Sequence, residues 1–159
     1  MNLSENIAQS WLESKDFFCL KNVYYGQRNH DIDILAIKPK KLKIWDCEIK
    51  CHTGTSNIYA NKFDEIIDNF YDSERLEKIK SIIGEDFSEK STLVRVFITT
   101  KNYFGNGSCC QEWEERFSEK KINVYYFEDI IIKLTEIASR TKKFNDLTLL
   151  SLKLKEMSE

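Results

Sequence analysis

The chain has 159 residues and no apolar run longer than a few of them. A membrane-crossing helix needs about 18, so no transmembrane span is expected. The opening Met1-Asn2-Leu3-Ser4-Glu5-Asn6 lacks a basic region followed by an apolar core, and no secretory signal is expected from it. Charge of one sign is not in excess: 24 Lys and Arg face 26 Asp and Glu, for a net charge of −2. Domains that coat nucleic acid without regard to sequence are usually basic. The balance therefore argues against tight sequestration more than against catalysis, which needs only a local basic rim around an acidic centre. Cys-x-x-Cys pairs are missing. The five cysteines (Cys19, Cys47, Cys51, Cys109 and Cys110) are odd in number and two are adjacent. That usage suits a reducing cytoplasm, where the chain is expected to reside, better than a disulfide framework. Cys47, Cys51 and His52 lack the paired spacing of a metal site and read as incidental thiols. No cysteine pattern suits an iron–sulfur cluster. Proline occurs once, at Pro39 in the basic turn Lys38-Pro39-Lys40-Lys41. Repeats, low-complexity tracts and linkers are absent, so one domain over residues 1–159 is expected.

What is present is 42% hydrophobic and 13% aromatic, the composition of a globular protein able to bury a core without staples. Ser4 can cap a helix running to about Ser14, with Ile7, Ala8, Trp11 and Leu12 on one face. Phe17 to Leu20 reads as a strand continuing towards Tyr25. Residues 31–37 form a second strand and residues 43–50 a third. A long helix is expected from about Asn57 to Ile83, capped from Thr53-Gly54-Thr55-Ser56, kinked near Asp72-Ser73 and stopped by Gly84. Its buried stripe is read as Ile58, Phe63, Ile66, Ile67, Phe70, Leu76, Ile79 and Ile83. Leu93 to Thr99 is a strand and residues 102–108 a loop. Cys110 to Lys120 is a helix, Ile122 to Phe127 a strand, and two helices follow, Glu128 to Arg140 and Asp146 to Met157. Three consecutive strands suggest antiparallel neighbours, and the later strand–helix–strand order suggests a parallel crossover. The fold class is α/β: a single mixed sheet flanked by helices on both faces.

The chemistry is concentrated in two of these strands. Asp31-Ile32-Asp33-Ile34-Leu35-Ala36-Ile37 places two acids in an apolar run, and the next strand carries Glu48-Ile49-Lys50. Ionised carboxylates in such runs are costly unless neutralised, and a divalent cation beside a lysine would do so. Side chains alternate along a strand, so Glu48 and Lys50 share a face. A turn symmetric about Lys40 and Lys41 sets Asp33 opposite Glu48 and Asp31 opposite Lys50, with cross-strand Cβ atoms about 5 Å apart. Mg²⁺ favours one or two protein carboxylates together with water and substrate phosphate. Lys50 could steady charge on a phosphoryl oxygen. These parts suit hydrolysis of a phosphodiester.

An acid in a strand, a hairpin, then Glu-x-Lys, after a first helix carrying a glutamate, resembles the PD-(D/E)XK nuclease superfamily, which includes restriction endonucleases and Holliday-junction resolvases. The resemblance covers residues 1 to about 100, with a helix–strand–helix extension over about 108–159. It implies a restriction-endonuclease-like αβββαβ core and a Mg²⁺- or Mn²⁺-dependent endonuclease. It also implies Asp33 and Glu48 as metal ligands, Lys50 as the catalytic lysine, and Glu5 as a supporting acid from the first helix. The Asp-Ile-Asp-Ile-Leu-Ala stretch is similar to the strand of resolvase-like and Mrr-like members, whose second acid is the ligand, so Asp33 ranks above Asp31. Ile32 stands where the named pattern has proline.

DNA is the implied partner, with RNA not excluded, and no membrane. Arg28, His30 and Tyr25 lie near the acid-bearing end and are candidate contacts to nucleic acid, as are Asn57 and Lys62 at the start of the helix after Glu-x-Lys, whose amides could hold a phosphate. A homodimer would supply the second site for paired cuts, and a separate specificity or motor subunit is the other candidate partner. Leu147, Leu150, Leu154 and Met157 form a stripe for packing or a dimer contact. The bland reading makes Asp31, Asp33, Asp46, Glu48 and Lys50 the wet faces of half-exposed strands, with Trp45, Cys47 and Ile49 inward. The functional alternative is a nuclease-fold protein without catalysis, acting as a nucleic-acid-binding or structural subunit of a larger complex.

Overall fold

In the computed structural model, residues 2–27, 30–142 and 146–158 are described. Helix α1 (Leu3–Glu13) is capped by Asn2, whose side chain accepts the Ser4 N–H, and Ser4 itself donates its hydroxyl to Asn2 instead of acting as the cap. The helix closes through Asp16 at φ 64° and a bond from Phe17 N–H to the Leu12 carbonyl. Three strands follow as an antiparallel meander: β1 (Phe18–Tyr25), β2 (His30–Lys38) and β3 (Lys43–Lys50). A 3-10 turn at Pro39–Lys41, with Leu42 in the left-handed region, joins the last two.

The chain then crosses one face of the sheet. The expected single helix is two, α2 (Ala60–Phe70) and α3 (Ser73–Ile83), because Asp72 breaks the run and caps α3 by accepting the Glu74 and Arg75 N–H groups. The start also moves, from Asn57 to Ala60. Ile58 is drawn into the core and its N–H bonds to the Tyr103 carbonyl at 2.7 Å, which keeps the backbone extended through Tyr59. Two short helices lie where none was expected, α4 (Glu85–Lys90) and α5 (Lys101–Phe104). Strand β4 (Thr92–Thr99) pairs parallel to β3. After α6 (Ser108–Glu119), β5 (Ile122–Tyr126) pairs parallel to β4. Helices α7 (Phe127–Arg140) and α8 (Leu147–Ser158) end the chain.

The fold is α/β, a single five-stranded mixed sheet in the order β1-β2-β3-β4-β5 with helices on both faces. One face packs Ile34, Ala36, Cys47, Val96 and Ile98 against α1 and α7 through Trp11, Leu12, Ile130 and Leu134. The other packs Phe97 and Ile122 against α2, α5 and α6, and Leu35 and Ile44 against Ile79 of α3. Phe117 stacks on Phe97 and Phe104 and meets Phe63 edge-on, with centroids 4.9, 5.4 and 5.0 Å apart. Leu150, Leu154 and Met157 are exposed, so that stripe is not core packing within the described residues. None of the described helices is long and apolar enough to cross a membrane.

Phe117 is fully buried and Ile132 is well exposed. Phe117→Ala should therefore lower unfolding free energy by about 3–5 kcal/mol, and Ile132→Ala by less than about 0.5 kcal/mol, as read by urea denaturation.

Candidate active site

The β2–β3 ladder has Ile34 opposite Cys47, and one further step in that register sets Asp33 opposite Glu48. The regular ladder stops there. On its other side β2 runs beside Asn22 of β1, whose φ of 51° bends the edge strand. Strict alternation fails at this point: Ile34 packs on the α1 face, whereas Ile32 and Leu35 both join the α3-side core. Asp33 sits at the turn between them. Its Oδ2 accepts the Ile49 N–H at 2.6 Å, so a carboxylate takes the place of a main-chain carbonyl in the next rung.

Glu48 lies beside Phe97 of β4 and so faces α2 and α3. Burial, the Asp33 charge and then the Asp46 charge raise its pKa from 4.5 to about 7, against the opposing pull of Arg75. Asp33 rises from 3.8 to about 6, chiefly through burial and also through the charges of Asp31 and Glu5, although the Ile49 N–H and Arg75 pull it down. Glu5 is 7% exposed, on the buried stripe of α1, and accepts a hydrogen bond from Asn2 at 2.5 Å. The charges of Glu5 and Asp31 thus bear on Asp33, and that of Asp33 on Glu48. Lys50 is exposed two residues beyond Glu48, and its carbonyl accepts the Thr99 hydroxyl at 2.8 Å. Among the described residues no ion pair joins Lys50 to any of these acids.

The principal residue absent from the sequence reading is Arg75. It is 1% exposed, and its Nε lies 3.1 and 3.0 Å from the two carboxylate oxygens of Asp46, with Nη2 also on Asp46 and Nη1 on Oε1 of Glu48. Its guanidinium packs over the rings of Phe70 and Tyr25 at 5.1 and 5.6 Å. The premise that a cation must neutralise the strand acids is therefore met in part by the protein itself. The wet-face reading of Asp46 and Glu48 is also corrected: Asp46 is 1% exposed and Glu48 is ion-paired. The sequence did carry a signal, since Arg75 precedes Ile79 by four residues and Ile83 by eight, the spacing of the buried stripe.

The remaining candidates separate. Tyr25 is 5% exposed and packs its ring against Arg75. His30 is exposed and lines a cavity of about 270 Å³ together with Asp72 and Glu74, two carboxylates that would oppose a phosphate. Arg28 lies outside the described residues. Lys62 pairs with Glu65 at 2.8 Å. Asn57 is exposed beside Gly105, where φ is +85° and an added Cβ would stand 3.0 Å from the Asn57 amide. It precedes α2 and does not begin it, and α2 has no side-chain cap. Cys47 points into the α1-side core and Cys51 is exposed, so these thiols do not converge.

Among the described residues no three His, Cys, Asp or Glu side chains gather as metal ligands. The donor set on offer is the Asp33–Glu48 pair. Each has one oxygen bonded within the protein, and the other, Oδ1 of Asp33 or Oε2 of Glu48, takes no hydrogen bond from the described residues. Two hard oxygens with water and phosphate completing the shell fit Mg²⁺ or Mn²⁺ better than zinc, whose structural sites are closed by four protein ligands. Comparison with known families, curated proteins and solved structures finds no match to this chain.

Raised carboxyl pKa values mean that the folded state holds these protons more tightly than the unfolded chain. The associated stability is full below about pH 4 and is lost as pH climbs through about 6 and about 7. The metal-free melting temperature should therefore fall between about pH 4 and about pH 7, and Asp33→Asn should flatten that fall. Identical profiles in the two proteins would show that neither the titration of Asp33 nor its charge on Glu48 contributes to the fall.

Proposed function

We propose that the protein is a metal-dependent endonuclease hydrolysing DNA phosphodiester bonds, on a restriction-endonuclease-like αβββαβ core. The observation that carries the reading is the juxtaposition of Asp33 and Glu48 where the β2–β3 ladder ends, with Glu5 buried alongside and Lys50 two residues on. The order α1, three antiparallel strands, crossover helices and a parallel β4 supports the fold assignment.

In this reading Asp33 and Glu48 each offer their unbonded oxygen to Mg²⁺ or Mn²⁺, which when bound supplies Lewis acidity at phosphorus and lowers the pKa of water. Asp33 is aimed by the Ile49 N–H and Glu48 by Arg75. Glu5 deepens the negative field around Asp33 and favours a cation there. Lys50, exposed on the Glu48 face of β3, reaches an incoming phosphate and steadies charge gathering on its oxygens. The net charge of −2 limits non-specific attraction to DNA, which leaves room for a partner subunit that delivers the substrate.

One observation favours the second reading, a nuclease-fold protein that binds nucleic acid without cutting it: Arg75 already compensates Asp46 and one oxygen of Glu48. Cleavage assays separate the two. Purified protein with Mg²⁺ or Mn²⁺ should cut DNA. Lys50→Ala should slow cutting by about a hundredfold or more, and Glu48→Gln should abolish it, with melting temperature little changed in the lysine variant. Metal-dependent cutting that survives both changes would place the chemistry elsewhere. Absence of both cutting and a metal-induced rise in melting temperature would favour the non-catalytic reading.

A further inference from the structure

Arg75 sits behind the proposed site, not in it. It enters from the first turn of α3, where the Asp72 cap fixes the helix start by accepting the Arg75 N–H itself. Its two ends do different work. The Nε–Nη2 edge grips Asp46 through three donor–acceptor contacts, and Asp46 is as deeply buried as Arg75. The remaining Nη1 reaches past Asp46 to Oε1 of Glu48, two residues along the same face of β3. Phe70 and Tyr25 flank the guanidinium with their rings. A fork held on one edge and flanked by two rings has little freedom left, so the position of Nη1 is set by the core.

Stability alone is a poor explanation for this arrangement. A buried ion pair roughly offsets its own desolvation, and apolar replacements of similar volume often serve as well or better. The pair does something an apolar pair cannot: it takes one oxygen of Glu48 and leaves Oε2 without a protein donor among the described residues. Lysine could not do the same, because a single ammonium cannot present a planar fork to one carboxylate and a separate donor to another.

We propose that Arg75 is a positioning residue, which, anchored on Asp46, fixes the Glu48 carboxylate so that its free oxygen is presented to a cation shared with Asp33. The proposal rests on the metal-site reading for its purpose, and on the core geometry alone for the immobilisation of Glu48. Asp46 is accordingly the anchor of the positioning group, although its acidic neighbours in sequence and space suggest a ligand.

The test uses the full chain and two variants. Asp46→Asn with Arg75→Gln swaps the buried ion pair for a neutral amide pair and leaves Glu48 without a guanidinium. Arg75→Lys keeps a cation for Asp46 but removes the fork. In metal-free protein, side-chain couplings of ¹³C-labelled Glu48 should report one rotamer in the wild type and averaging in both variants. Mn²⁺ affinity, followed by electron paramagnetic resonance, should fall by about ten- to a hundredfold in the double variant, the usual effect of losing a group that orients a ligand, and by less in Arg75→Lys. A merely structural Arg75 would lower melting temperature while Glu48 kept one rotamer and Mn²⁺ affinity stayed at the wild-type value, and that result overturns the proposal. Should the double variant fail to fold, a single Glu48 rotamer in Arg75→Lys overturns it equally. If the wild type takes up no Mn²⁺, the metal-site reading fails, and the rotamer measurement still decides whether Arg75 immobilises Glu48.

Discussion

The guanidinium of Arg75 is the point on which both the packing and the candidate site depend. It compensates Asp46, which would otherwise be an ionised group with no water around it, and it tethers Glu48, the outermost of the two acids. The helix that carries it is placed by its own cap at Asp72, and the rings of Tyr25 and Phe70 close around it from β1 and α2. Elements distant in sequence therefore meet at one cation. Removing that cation strands two carboxylates, a far costlier event than losing a contact on the surface.

The site itself is asymmetric. Asp33 is held by main chain, since the Ile49 N–H has no choice of partner once the ladder ends. Glu48 is held by a side chain from another element. Burial first, and neighbouring negative charge after it, raises both carboxyl groups towards neutrality.

Much of this was legible in the chain. A turn symmetric about Lys40 and Lys41 implies a hairpin register that agrees with the structure from Ile34 to Lys38, whereas the ladder ends before Asp31 can face Lys50; a one-residue slip would turn Ile34 and Cys47 out of the core. The helix–sheet alternation after residue 50 likewise reads as parallel crossovers. What escaped notice was the behaviour of polar residues inside apolar patterns. Arg75 has the spacing to Ile79 and Ile83 that matches the buried face, but a charged residue is ordinarily assigned to solvent and the pattern favours Leu76. The start of α2 moved for a tertiary reason, the bond between Ile58 and Tyr103, which no local signal announces. Nor does periodicity register the loss of alternation at Asp33, which lies across from Asn22 of the neighbouring strand.

That asparagine has a second consequence. β1 is an outer strand of the sheet, with a row of main-chain donors and acceptors turned to solvent. A left-handed residue in its middle, next to the charged Lys21, interrupts the row and bends it out of line. Such a margin is a poor template for another molecule to extend. A single left-handed residue thereby discourages stray intermolecular pairing along the border of the sheet.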